Sequence, residues 1–199
     1  MANGEKKRAV VAITGASGAT IGISLLSILA KSGTEIYCAV SDAAAKIIPA
    51  EIDGAVDAES ALAMFDSSAA DCVKFFREDD FLAPPASGSF RFDAMAVAPC
   101  SMKTLGKIAN GIADNLIVRA AEVALKERRR LVVCPRETPL ALTHIRNMET
   151  LCLAGAVILP PALSFYNKPK TVRDAADIVA ARIAQSMGFE QNIIKEWGL

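Results

Sequence analysis

The stretch VVAITGASGATIGISLL, residues Val10–Leu26, places an apolar run, a turn of small residues and a second apolar run in direct succession. The first run has the length of a buried strand, and the second has the pattern of a helix. The turn Gly15-Ala16-Ser17-Gly18-Ala19 lets the backbone approach a ligand closely, at a helix start that presents free N–H groups. This strand–turn–helix unit suits a phosphate or the polar edge of a flavin. However, the spacing is not GxGxxG and no P-loop lysine follows, so a plain tight turn between a strand and a helix explains the pattern equally well.

Strands and helices alternate along the rest of the 199 residues. This alternation indicates βαβ crossovers and therefore a mostly parallel sheet with helices on both faces. We predict one α/β domain over residues 1–199, a Rossmann-like three-layer sandwich. The predicted strands are Arg8–Thr14, Glu35–Val40, Ala94–Ala98, Leu131–Cys134, Ala156–Leu159 and a weaker Val73–Phe76. The predicted helices are Ile21–Lys31, Ala43–Glu51, Ala58–Phe65, Met102–Ala109, Leu116–Arg128, Leu140–Ala154 and Val172–Met187.

Composition and charge exclude several classes of protein. Lys+Arg and Asp+Glu number 22 each, a balance that argues against a general nucleic-acid binder. The chain is 52% hydrophobic, but no run approaches the roughly 18 apolar residues of a membrane span. The apolar excess instead indicates doubly buried strands or a large subunit interface. We see no signal peptide at the start, and we expect a cytoplasmic protein.

Cysteine and histidine usage argues against a metal centre. The five cysteines are scattered and include no CxxC pair, so neither disulfides nor a zinc site are expected. A single histidine in the whole chain excludes a His-rich metal site.

Polar residues follow the predicted strands, and parallel strands bring such residues to one edge of the sheet, where α/β proteins bind ligands. Ser41 is a good N-cap for a helix that ends at Glu51, whose carboxylate alone would be a solvated helix end. Pro99 is expected to end its strand, and Ser101 can cap the helix that follows.

The fifth strand leads to a further candidate site. Thr138 as N-cap and Pro139 in the first helical position predict a helix start, which places Arg136 and Glu137 at the same edge. The segment Ala83–Ser89 (APPASGS) is predicted to be a loop and to act as a lid over this edge.

Cations on one helix suit a phosphate. Arg119 and Lys126 are two helical turns apart and share a face lined by alanine. Tyr166 lies in a proline-bounded loop, and Arg182 lies on the last helix. A structural role would explain each of these residues taken singly.

Taken in order, short blocks of this sequence resemble the UbiX-type flavin prenyltransferases, a family formerly described as aromatic-acid decarboxylases. The resemblance extends from about residue 8 to Trp197-Gly198. Its blocks are Thr14-Gly-Ala-Ser-Gly-Ala19, Ala83-Pro-Pro-Ala-Ser-Gly-Ser89, Pro99-Cys-Ser-Met-Lys-Thr-Leu105, Asp114-Asn-Leu-Ile117, Arg119-Ala-Ala121, Ala124-Leu-Lys-Glu-Arg-Arg129, Pro135-Arg-Glu-Thr-Pro139, His144-Ile-Arg-Asn-Met148 and Phe165-Tyr166.

The resemblance implies a homo-oligomer, typically a dodecamer, that binds FMN between subunits. The family transfers a dimethylallyl group from dimethylallyl phosphate to N5 and then C6 of reduced FMN. The product, prenylated FMN, is the cofactor of a UbiD-type decarboxylase.

The resemblance also assigns roles to residues. Ser17 lies by flavin N5, and it joins Glu51 and Glu137 as the implied catalytic residues. The implied FMN-binding residues are Gly15, Ala16, Ser17, Ser41, Ser101, Met102, Lys103, Thr104 and Arg119. The implied prenyl-phosphate pocket, shared across a subunit interface, contains Lys126, Arg136, Tyr166 and Arg182.

The residues are compatible with a metal-free reaction. Magnesium-dependent prenyl transfer uses DDxxD motifs, and the densest acidic run here, Glu78-Asp79-Asp80, lacks that spacing. Cations in the implied pocket can hold the leaving phosphate instead. As hypotheses, Glu137 orients or protonates groups near the phosphate, and Glu51 takes the C6 proton.

Two other functions stay open from the residues. A flavin-dependent cysteine decarboxylase of the phosphopantothenoylcysteine type shares this fold, but it needs a histidine after the first strand–helix unit, whereas the sole histidine is His144. The second alternative is a non-catalytic flavin-binding subunit of a decarboxylase. Such a subunit would bind the phosphate of FMN but would need no second phosphate site.

Overall fold

The computed structural model describes residues 6–195, so the Trp197-Gly198 end of the family resemblance lies outside the described residues. The strands are β1 (Arg8–Ile13), β2 (Glu35–Val40), β3 (Val73–Arg77), β4 (Ala94–Cys100), β5 (Arg130–Pro135) and β6 (Val157–Ile158). The helices are α1 (Ala19–Lys31), α2 (Asp42–Glu51), α3 (Ala58–Phe65), α4 (Met102–Ala109), α5 (Leu116–Lys126), α6 (Leu142–Leu153) and α7 (Val172–Met187). Short 3-10 turns cover Ser67–Cys72, Pro84–Ala86 and Phe165–Asn167.

The six strands form one sheet in the order β3-β2-β1-β4-β5-β6. Every pairing is parallel, which confirms the predicted α/β class. From β1 the chain builds outward in one direction through β2 and β3, and then in the other through β4, β5 and β6. The strand order therefore reverses between β1 and β4, and ligands of such sheets bind in the crevice at the carboxyl ends of the strands there.

Alternate residues of β1 face two separate cores. Val11 and Ile13 pack in an apolar cluster with α1, α2, α3 and α7. Val10 and Ala12 pack in a second cluster with α4 and α5. The sheet is thus covered on both faces, as the predicted three-layer sandwich requires. It also follows that α5 and α7 lie on opposite faces of the sheet.

Several predicted boundaries differ from the structure, mostly by one or two residues, and three of the differences have a local cause. Strand β4 does not end at Pro99 but continues to Cys100. Its register against β5 shifts between Val97 and Cys100, and this irregularity accommodates the proline. Helix α5 stops at Lys126 because Arg128 adopts a left-handed backbone, with φ of 56°. Helix α6 does not start at Thr138-Pro139 but at Leu142, where the Ala141 N–H donates to Nδ1 of His144.

Within residues 6–195, no helix combines the length and the apolar character needed to cross a membrane. The same residues include no group of three or more His, Cys, Asp or Glu side chains placed to hold a metal ion. All five cysteines are free. Burial raises the pKa of the Cys38, Cys100 and Cys134 thiols, so these side chains are neutral at physiological pH.

Candidate active site

The loops after β1, β2, β4 and β5 meet at the carboxyl edge of the sheet. The Ser41 N–H donates to the carbonyl of Ile13 at 3.0 Å, and the Arg136 N–H donates to the carbonyl of Cys100 at 3.0 Å. The Thr14 hydroxyl joins the ends of β1 and β4, because it donates to the Pro99 carbonyl and accepts from the Ser101 N–H. These bonds make one continuous surface from the residues that follow four strands.

The turn after β1 packs tightly against α2. A Cβ at Gly15 would lie 2.4 Å from Cβ of Ala43, so only glycine fits there without a shift of α2. Gly18 has φ of 104°, a left-handed backbone that starts α1 and that glycine adopts freely. Ala16 is buried, whereas the Ser17 side chain is exposed at the surface of the turn.

Glu51 closes the start of α1. Its carboxylate accepts from the N–H groups of Gly18, at 3.0 Å, and Ala19, at 2.8 Å. The expectation of a solvated carboxylate is therefore wrong, since α2 ends beside the start of α1 and delivers a negative charge to its positive dipole end. Two of the N–H groups predicted to be free at this helix start are therefore already paired with a carboxylate of the chain itself.

A cavity of about 340 Å³ lies beside this contact. Its polar part holds Ser17 and Glu51, which are two of the three implied catalytic residues. Its remaining wall is mostly apolar and comes largely from α7 and the loop before it. The lining residues are Ser17, Gly18, Thr20, Ile21, Glu51, Pro161, Leu163, Val172, Ala175, Ala176 and Val179. Such a cavity accommodates a small apolar group beside a hydroxyl and a carboxylate.

Ser41 acts as the predicted cap of α2. It is buried, and its hydroxyl oxygen accepts from the Ala44 N–H at 3.1 Å. The Asp42 N–H of the same helix start donates to the carboxylate of Glu78 at 2.8 Å. Glu78 also accepts from Nδ2 of Asn115 at 2.6 Å, and its carbonyl accepts from the Leu116 N–H.

Glu78 therefore joins the starts of α2 and α5, a role that the sequence analysis missed. Two features of the sequence draw attention to Glu78: it directly follows β3, and it belongs to the densest acidic run. No local pattern reveals its partners, which lie 36 and 37 residues away along the chain.

The start of α4 has the chemistry of a phosphate site. Oγ of Ser101 accepts from the Thr104 N–H at 3.3 Å and lies 3.0 Å from Oγ1 of Thr104. Met102 is partly buried, and Lys103, which lies between the two hydroxyl residues in the sequence, has an exposed side chain. A helix start with two hydroxyls and a cation can hold an anion.

Arg119 is fixed in place rather than free. Its Nε donates to the Ala86 carbonyl at 3.0 Å, and NH1 contacts the Glu122 carboxylate at 2.6 Å. Arg129, which follows α5, donates in the same way to the carbonyls of Gly88 and Phe90. The expectation of a lid over the sheet edge is therefore wrong, because these bonds fasten the Ala83–Ser89 segment along α5.

Within one chain, Lys126 lies far from Arg136, the next implied phosphate-binding residue along the sequence. Lys126 ends α5 and pairs with Glu127, just before the amino end of β5, whereas Arg136 directly follows its carboxyl end. Six residues of strand separate these points by about 20 Å. Arg182 lies on α7, which covers the face of the sheet opposite to α5. The Tyr166 side chain is exposed in the 3-10 turn Phe165–Asn167.

Glu137 lies in an exposed stretch before α6, where the Thr138 N–H donates to its carboxylate at 3.0 Å. This stretch and α6 present large apolar side chains on the surface of the chain, and the loop before α7 and the first residue of α7 add more. They are Leu140, Leu142, Ile145, Leu153, Leu163, Phe165 and Val172. Exposed apolar side chains in such number are typical of a surface that another molecule covers.

Comparison with known proteins places this geometry in a family. The family model described as Flavoprotein matches residues 2–187. Flavin prenyltransferase UbiX of Archaeoglobus fulgidus is 47% identical over 191 residues, covering 96% of this chain and 100% of that protein. The crystal structure of AnUbiX (PadA1) in complex with FMN and dimethylallyl pyrophosphate has a TM-score of 0.86 and 40% identity, covering 97% of this chain and 98% of that one. The dodecameric FMN-dependent UbiX-like decarboxylase from Escherichia coli O157:H7 has a TM-score of 0.84 and 38% identity, covering 96% of this chain and 100% of that one.

These similarities extend over nearly the whole of each chain, so they concern the complete fold and not a single motif. They confirm the resemblance that the ordered sequence blocks indicated. The chain belongs to the family of UbiX-type flavin prenyltransferases.

Proposed function

We propose that this protein transfers a dimethylallyl group from dimethylallyl phosphate to N5 and C6 of reduced FMN, and so makes prenylated FMN for a UbiD-type decarboxylase. The observation that carries the proposal is the cavity at the carboxyl edge, where Ser17 and Glu51 face mostly apolar walls. A dimethylallyl group is apolar and small enough for this space. The proposal covers residues 1–199 as one catalytic domain, working in the cytoplasm.

The residues at the sheet edge fit FMN. The hydroxyls of Ser101 and Thr104, with the exposed Lys103, form a donor set suited to the phosphate of FMN at the start of α4. The α1 start is less suited, because the Glu51 carboxylate already accepts its N–H groups. Ser17, Ser41 and Arg119 would then contact the rest of the flavin.

Reduced FMN supplies the electron-rich N5 and C6 to which the dimethylallyl group becomes attached. The protein's contribution is to hold the phosphate as it leaves, which Lys126, Arg136 and Arg182 would do with the Tyr166 hydroxyl. Glu51 lies in the cavity and would accept the proton from C6. Glu137 would orient or protonate groups near the phosphate. This arrangement needs no metal ion.

The separation of Lys126 and Arg136 supports a site shared between chains. Residues about 20 Å apart along β5 cannot hold one phosphate within a single chain. A neighbouring chain that covers the exposed apolar side chains around α6 could bring its own Lys126 to the Arg136 of this chain. We propose a homo-oligomer, and a dodecamer is the assembly named for the similar Escherichia coli protein.

The cysteine decarboxylase reaction is less well supported. The sole histidine, His144, accepts the Ala141 N–H at the start of α6, far along the chain from the first strand–helix unit. A plain flavin carrier would not account for the cations of the implied phosphate pocket.

The mass of the flavin tests these functions directly. Purified protein with reduced FMN is mixed with dimethylallyl phosphate, or with the diphosphate, and the released flavin is weighed by mass spectrometry. We expect a flavin heavier by one dimethylallyl unit, at an undiminished rate when a metal chelator is present. An unmodified flavin with both donors would contradict the proposal.

A further inference from the structure

Thr14 connects two segments that are implied to contact the same flavin. It directly follows β1, is 1% exposed, and directly precedes the turn Gly15-Ala16-Ser17. Its hydroxyl donates to the Pro99 carbonyl at 2.9 Å and accepts from the Ser101 N–H at 2.8 Å. The Thr14 N–H donates to the same Pro99 carbonyl at 3.2 Å.

We propose that Thr14 is a positioning residue, whose buried hydroxyl fixes the Ser101–Thr104 turn relative to the Gly15–Ser17 turn and thereby sets the shape of the FMN site. The inference rests on the proposed function, since it assumes that both turns contact FMN. The inferred role is indirect, because the hydroxyl and the backbone N–H of Thr14 are bonded within the protein.

The physical reason is the hydrogen bond that the Thr14 hydroxyl accepts from the backbone at the start of α4. The Ser101 N–H immediately precedes α4, and its acceptor is the Thr14 hydroxyl. This N–H is partly buried, so leaving it without an acceptor costs free energy, and the chain reduces that cost by moving the N–H toward water. Such a movement would carry the Ser101 and Thr104 hydroxyls away from the turn after β1.

Matched variants separate positioning from general stability. Thr14→Val keeps the shape of the side chain and removes both hydroxyl bonds, whereas Thr14→Ser keeps the hydroxyl. Thr34→Val is the control, because Thr34 is also buried and its hydroxyl lies 2.9 Å from that of Ser32, at the start of β2 on the opposite edge of the sheet. FMN affinity is measured by fluorescence titration, and unfolding by urea, for each variant and the wild type.

We expect Thr14→Val to weaken FMN binding about tenfold or more, and Thr14→Ser to bind within about threefold of the wild type. Thr34→Val should lose stability but keep its FMN affinity. Folded Thr14→Val with wild-type affinity would overturn the inference, as would equal losses of affinity in Thr14→Val and Thr34→Val.

Two further results keep the inference open to contradiction. If Thr14→Val does not fold, Thr14→Cys replaces it, because a thiol is a weaker donor and acceptor. Its FMN affinity should then fall below that of Thr14→Ser, and an equal affinity would overturn the inference. A wild-type protein that binds FMN but does not prenylate it would contradict the proposed function and leave this comparison of affinities intact.

Discussion

The carboxylate of Glu51 and the N–H of Gly18 form a hydrogen bond of 3.0 Å that joins the end of α2 to the start of α1. One side chain thus caps a helix and lies in the cavity proposed for the dimethylallyl group. The structural role of Glu51 requires an acceptor oxygen at this position, whereas the proposed catalytic role requires a group that can take up a proton.

Replacement of Glu51 should separate these roles. Glu51→Ala should lower the free energy of unfolding by about 1 kcal/mol, because the start of α1 loses its cap. Glu51→Gln keeps an acceptor oxygen and should lose less stability, but it cannot take up a proton and should lose most prenylation activity. Urea unfolding and single-turnover prenylation measure the two effects.

Asp57→Ala is the control for this comparison, since Asp57 caps α3 by accepting the Ser60 N–H at 2.8 Å. It should cost a similar amount of stability and leave the prenylation rate unchanged. A wild-type prenylation rate in Glu51→Gln would show that Glu51 has no role in proton transfer.

The contact between Gly15 and Ala43 should make the turn after β1 intolerant of a side chain. Gly15→Ala places two Cβ atoms 2.4 Å apart and should destabilise the protein by about 1–3 kcal/mol. Adding Ala43→Gly removes the clash and should restore part of the loss, as a double-mutant cycle would measure. Gly106→Ala, where the added Cβ meets Nδ2 of Asn147 at 3.4 Å, is the control and should not destabilise. Additive losses in the cycle would contradict the steric explanation.

Glu137 offers a test of catalysis with little structural cost. Its carboxylate is exposed, and the side-chain oxygen of Glu137→Gln can still accept the Thr138 N–H. We therefore expect unchanged stability and a single-turnover prenylation rate lowered by about 10²-fold or more. Glu59→Gln, an exposed substitution on α3, should retain the full rate. If Glu137→Gln also retains it, the hypothesis of an acid or orienting role fails.

Glu35 should make the stability depend on pH independently of the active site. Hydrogen bonds from Lys74, Tyr37 and Arg8 lower its pKa from 4.5 to about 2. Because the folded state favours the charged form, this stabilisation is present above pH 4.5 and is lost as the pH falls toward about 2. Glu35→Gln should therefore flatten the decline of the unfolding free energy across that range, as urea titrations at several pH values would show. Lys74→Met should reproduce part of the change, and an unaltered slope in both variants would contradict this assignment.

Local signals in the sequence predicted most elements of the fold. The bounds of β2, α3, α4 and α7 agree with the sequence prediction residue by residue. The start of α6 was missed because Thr138-Pro139 carries the local signs of a helix start, while the chain only bends there and the helix begins after Ala141. Helix starts depend on where the chain can pack as well as on the capping residues.

The candidate site was predictable only in part, for a different reason. Strand ends and helix starts located Ser17, Ser41 and the Ser101–Thr104 turn at one edge. The contacts of Glu51 and Glu78 join residues more than 30 positions apart, so no periodicity or spacing could indicate them. The shared face of Arg119 and Lys126 suggested a common phosphate, but Arg119 is tied to the Pro84–Ala86 turn and Lys126 lies at the far end of α5.

Co-assembly of two inactive variants tests the shared site most directly. Lys126→Ala and Arg136→Ala chains are purified separately, mixed, dissociated and reassembled, and the prenylated flavin is quantified by mass spectrometry. If adjoining chains supply the two cations, random assortment gives about one quarter of the interfaces an intact Lys126 facing an intact Arg136, and activity returns to that level. Reassembled mixtures as inactive as either variant alone would contradict a phosphate site built from neighbouring chains.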